Sequence, residues 1–188
     1  MALSALPLAA QSGELRAEVV ASGLEHPWAL AFIGNGKMLI SERPGRLRVI
    51  AADVKVGAPV DGLPAIEVTG QGGLLDVVAD RDFARNRMIY FCYAEPAALG
   101  SGNSTAMASA RLSDDARRLE KLTTIFRQTP KVSSRQHFGC RIVEGMKDGR
   151  PDGTLFLTLG ERFQRMQDAQ TLDNHHGKVV RVGKDGSV

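Results

Sequence analysis

Long apolar runs are missing from this 188-residue chain: none approaches the roughly 20 residues a membrane-crossing helix requires, so no span is expected. Sustained 3.6-residue apolar periodicity is missing too. Only residues 161–169 offer a helical turn or two, and no capping box leads a long amphipathic run. Blocks of like charge are absent: the formal charge is +3, and arginines alternate with acids, which argues against a nucleic-acid partner. Cysteine occurs only at Cys92 and Cys140, in neither a CxxC nor a paired framework, so it says little about redox compartment. Cys92 lies inside Ile89-Tyr90-Phe91-Cys92-Tyr93 and reads as a small buried hydrophobe.

What is present is glycine, proline and short apolar stretches. Apolar residues make up 43%, enough for one sizeable core, and 20 glycines with 8 prolines imply many turns. Residues 28–32 and 37–42 flank Gly34-Asn35-Gly36, a hairpin signal, and after Pro44-Gly45 residues 46–50 alternate as an outer strand does. A second unit repeats the plan, with strands at 74–79, 87–93, 104–112 and 123–126 and a polar connection at 80–86. A third has strands at 140–143, 154–159 and 177–182, with a long glycine-rich turn at 144–153. Three such units of about 45–65 residues predict an all-β chain, a β-propeller of about three blades forming an incomplete ring. An irregular β-sandwich is the plainer alternative. The expected organisation is a remnant of a signal peptide at 1–12 and half of a propeller domain at 24–188, a fragment inactive alone.

Two turns carry the candidate chemistry. Gln71 is flanked by Gly70, Gly72 and Gly73, which would let a flat ligand approach the backbone, although a tight blade-entry turn explains the same glycines. Gln136-His137-Phe138-Gly139 places a histidine at the mouth of a strand, where it would act as general base or simply sit satisfied in a loop. Glu161 ends the strand expected to pair with the one after His137. A carboxylate on one imidazole nitrogen fixes the tautomer and raises the basicity of the other. His175-His176 invites a metal reading, but strand neighbours point to opposite faces. Asp80 and Asp82 lack the spacing of an EF-hand loop and read as a solvated turn.

Residues 26–32, 41–45, 70–77, 82–84 and 137–139 together resemble the soluble sugar dehydrogenases dependent on pyrroloquinoline quinone (PQQ), the glucose/sorbosone dehydrogenase family, and most closely its aldose branch. The resemblance runs from about Leu24 onward. It implies a six-bladed propeller holding PQQ, with calcium on the cofactor, oxidation of the C1 hydroxyl of an aldose to a lactone, an external electron acceptor and a periplasmic location. It implies His137 as base, Glu161 as its support and Gln71 at the cofactor. Gln136 stands where a shorter Asn or Asp is common, and would alter a cofactor contact. Cys140 replaces a small Ser or Gly, and Asp80-Arg81 replaces His-Pro. The calcium ligands and the basic residues for the cofactor's carboxylates would lie in later blades. The competing function is a non-catalytic propeller binding carbohydrate or a protein partner.

Overall fold

The computed structural model describes residues 15–187, so the expected signal-peptide remnant at 1–12 lies outside the described residues. Three antiparallel sheets follow one another along the chain. The first holds β1 (Pro27–Phe32), β2 (Met38–Glu42), β3 (Arg46–Ile50) and β4 (Val56–Pro59) in sequential order. The second holds β5 (Leu74–Ala79), β6 (Met88–Pro96), β7 (Asn103–Leu112) and β8 (Leu119–Arg127), again sequential. In the third, β9 (Gly139–Lys147) and β11 (Val179–Gly183) flank β10 (Arg150–Leu159). A helical turn, α1 (Phe83–Asn86), and a 3-10 turn at Met166–Gln170 are the helical elements among the described residues. No helix there is long and apolar enough to cross a membrane. Each sheet is a meander, and β5 packs against β1 while β9 packs against β5, the stacking of propeller blades.

The blades are held together by side chains that alternate across the middle sheet. On β6, Ile89, Phe91 and Tyr93 join the core shared with the first sheet, whereas Tyr90, Cys92 and Ala94 join the core shared with the third. A strand buried on both faces reads as one continuous apolar run, which is how residues 89–93 read in the sequence.

Several expectations need correction. β3 is not the outer strand of its blade, because β4 pairs beyond it. Val56-Gly57-Ala58-Pro59 has Val56 alone among the usual strand residues, and an edge position tolerates proline. The long turn expected at 144–153 is a two-residue hairpin: Arg150 pairs with Lys147, and Asp148 and Gly149 both take positive φ, as the turn twist requires. The connection at 80–86 contains α1.

Asp80 is not in a solvated turn. It is buried, bonds the Tyr90 hydroxyl at 3.0 Å and the Lys184 ammonium at 2.7 Å, and Lys184 also meets Glu144. Burial pushes its carboxyl upward, but Lys184, the Asp82 amide, Asn86 and Tyr90 outweigh that and hold it at about 2. The cysteines are not separate either. Cys92 on β6 and Cys140 on β9 form a disulfide across the second and third blades, with Cα atoms 6.0 Å apart.

Candidate active site

The two singled-out turns meet. The turn before β5 carries Gln71, and the turn before β9 carries His137. The Gln71 Oε1 accepts the His137 amide N–H at 2.8 Å, while the Gln71 N–H donates to the Arg135 carbonyl at 2.8 Å. The glycines around Gln71 serve this junction. A Cβ at Gly70 would run into the Arg135 carbonyl oxygen, at Gly72 into the Phe138 ring, and at Gly73 into the Arg43 carbonyl oxygen. The close approach seen here is between protein segments, the tight blade-entry turn that the same glycines also allow.

Glu161 reaches His137 because β10 returns antiparallel to β9, with Leu159 opposite Gly139. Gly160 then passes so close to the His137 carbonyl that no side chain fits between them. The result is a 2.5 Å hydrogen bond between His137 Nδ1 and Glu161 Oε1. Burial raises the Glu161 carboxyl, and the hydrogen bond from His137 with its charge reverses this, leaving it below the ordinary carboxylate range. With Nδ1 donating to an anion, the neutral imidazole carries its lone pair on Nε2. Nε2 makes no hydrogen bond among the described residues, and the side chain is 42% exposed. Phe163 packs edge-on to the ring, with centroids 5.5 Å apart. The ring is thus held by one nitrogen and presents the other to open space, the geometry a general base needs.

Gln136 is adjacent and exposed. Its side chain makes no hydrogen bond among the described residues, whereas its carbonyl accepts the Arg162 Nε–H at 3.0 Å. His175 and His176 do not form a metal site. His175 Nδ1 bonds the Thr129 amide at 3.1 Å, and buried His176 bonds Asp168 at 2.8 Å and the Pro130 carbonyl at 3.0 Å. Among the described residues no three His, Cys, Asp or Glu side chains gather where they could hold a metal.

Sequence reasoning missed Arg162. Its guanidinium is fully buried, 3.7 Å above the centroid of the Phe138 ring, and its Nη2 donates to Asn103 Oδ1 at 2.5 Å and to the Ser134 carbonyl at 2.7 Å. An arginine between Glu161 and Phe163 in a loop gives no sign in the sequence that it points inward.

Meandering antiparallel sheets stacked one on the next define a class by architecture, the β-propellers. The chain belongs to the Glucose / Sorbosone dehydrogenase family, whose model matches residues 24–188. It is 45% identical over 172 residues to the aldose sugar dehydrogenase YliI of Escherichia coli (strain K12), covering 91% of this chain and 44% of that one. The crystal structure of the soluble aldose sugar dehydrogenase from Escherichia coli, in its apo form, superposes with a TM-score of 0.82 at 44% identity, over 91% of this chain and 48% of that one. The PQQ-bound aldose sugar dehydrogenase from Streptomyces coelicolor gives 0.74 at 26% identity, over 90% and 48%. The chain therefore spans about half the length of the relatives it matches.

Proposed function

We propose that this chain contributes the catalytic base to a PQQ-dependent dehydrogenase that oxidises the C1 hydroxyl of an aldose to the lactone. The observation that carries the reading is the His137–Glu161 pair, whose second imidazole nitrogen is unpartnered among the described residues beside Gln71. His137 Nε2 takes the proton of the C1 hydroxyl, and Glu161 stabilises the imidazolium so formed. PQQ, when bound, supplies the acceptor for the two electrons and the hydrogen leaving C1. An external electron acceptor then takes the electrons onward.

The residues at this rim fit a planar, polar cofactor in part. Gln71 has its amide NH₂ left over after its oxygen bonds His137, and the Gln136 side chain is free to turn toward a ligand. No three His, Cys, Asp or Glu side chains gather among the described residues where they could hold a metal, so no calcium ligand is assigned to this chain. The disulfide between Cys92 and Cys140 supports an exported, periplasmic protein, because such bonds persist in oxidising compartments.

The test is reconstitution of the full-length polypeptide with PQQ and calcium, followed by a dye-linked assay across several aldoses. Dye reduction that requires both PQQ and an aldose is the expected result. Sugar binding without dye reduction would make the protein a carbohydrate-binding propeller instead.

A further inference from the structure

Arg162 is the largest fully buried side chain in the described structure, and the proposed chemistry does not use it. Removing a guanidinium from water is expensive, and such groups are ordinarily matched to a carboxylate. No carboxylate lies within salt-bridge distance of Arg162 among the described residues. Its side-chain partners are the carbonyls of Ser134, Gln136 and Asn103 and the Asn103 side-chain oxygen, with the Phe138 face beneath. Glu67 is tied to this group through Asn103, whose amide donates to it at 2.8 Å, and the charges of Glu67 and Glu161 offset part of the burial. Burial brings the guanidinium down to about 10, so it remains a cation at neutral pH.

The partners of Arg162 surround one residue. It holds the carbonyl of Gln136, which precedes His137, and stacks on the ring of Phe138, which follows. Its own backbone N–H donates to the His137 carbonyl at 3.3 Å, and its carbonyl accepts the Ser134 hydroxyl at 2.7 Å. The turn needs such holding. His137, Gly139 and Cys140 take φ values of 51°, 73° and 84°, and on the opposing segment Arg162 and Phe163 take 63° and 62°. Left-handed backbone at non-glycine residues persists only where its surroundings over-determine it.

We propose that Arg162 is a positioning residue: its buried guanidinium clamps the turn on both sides of His137, and so holds the imidazole with Nδ1 on Glu161 and Nε2 toward the open rim. This rests on His137 being the base, but the clamp itself is read without sugar or cofactor. A planar fork with a stackable face is required. Lysine carries the charge but offers neither the fork nor the stack.

The experiment is long-range proton–nitrogen NMR of the His137 imidazole in full-length protein, without cofactor, for wild type and Arg162→Lys. Phe138→Leu, which removes the stacking face and keeps the cation, is the second variant should Arg162→Lys fail to fold. Wild type is expected to show the Nδ1–H tautomer alone, and either variant a mixture with the Nε2–H form. In reconstituted protein the same variants should lose about tenfold or more in kcat, with KM changed less than twofold, the pattern of a misaimed base. A wild-type tautomer in the variants would overturn the clamp and leave Arg162 a structural cation, as would mixed tautomers in wild type. If the tautomer shifts as expected while wild type reduces no dye, the clamp stands and the dehydrogenase reading falls.

Discussion

Two histidine–carboxylate pairs stand in the third blade and its loops, and they differ in what becomes of the second nitrogen. His137 bonds Glu161 at 2.5 Å and leaves Nε2 open at the rim, whereas His176 bonds Asp168 at 2.8 Å and has Nε2 closed off by the Pro130 carbonyl at 3.0 Å. His137 is 42% exposed and His176 not at all. Pairing with a carboxylate is therefore no mark of a catalytic histidine. What suits His137 to the proposed role is its free nitrogen and the access to it. The closed pair instead pins the loop after the 3-10 turn to the segment following β8, and Asp168 is further held by Arg165 at 2.7 Å.

The comparison breaks most visibly on alanine. His137→Ala in the reconstituted full-length protein should lose about two to four orders of magnitude in turnover, the scale of a positioned base. PQQ affinity should change much less. A collapse of affinity with turnover preserved would make His137 a cofactor contact. Glu161→Gln sharpens the claim. The amide still orients the ring but no longer stabilises the imidazolium, so turnover should fall roughly tenfold to a hundredfold with little change in melting temperature. A wild-type pH–rate profile in that variant would remove Glu161 from the proton transfer.

His176→Ala should behave oppositely, costing about 1–3 kcal/mol of stability by removing a fully buried ring and its two hydrogen bonds, with turnover unchanged at temperatures where the protein stays folded. Denaturant titration beside the dye assay separates the two effects.

The smallest effect concerns acid. Asp80 is held at about 2 against roughly 4 in an unfolded chain, so its contribution is complete above the unfolded value and is lost as pH falls toward 2. The stability gap between wild type and Asp80→Asn should narrow over that interval. A gap constant from pH 5 to 2 would show that the Lys184 contact adds nothing specific.

Local features were legible in the sequence and long-range ones were not. The Gly34-Asn35-Gly36 hairpin declared itself because positive φ demands those residues, and Phe32 does pair with Met38. The His137–Glu161 meeting followed from one antiparallel return, β9 to β10. The disulfide could not be read, since nothing local distinguishes a lone buried cysteine from one facing another 48 residues away across a blade seam. Asp80 looked solvated because its cation lies 104 residues downstream. β4 was invisible because a glycine and a proline at an edge strand satisfy no strand pattern. Arg162 was passed over because arginine belongs at the surface by composition, and only the backbone reversal at Arg162 and Phe163 turns it inward.

The most direct measurement is the distance from His137 Nε2 to the C1 hydroxyl oxygen in a crystal structure of the full-length protein with PQQ and an aldose bound. The account predicts a hydrogen bond of about 2.6–3.2 Å, with Nδ1 still on Glu161. A C1 hydroxyl bonded to another side chain, or Nε2 turned onto a protein acceptor as in His176, would contradict it.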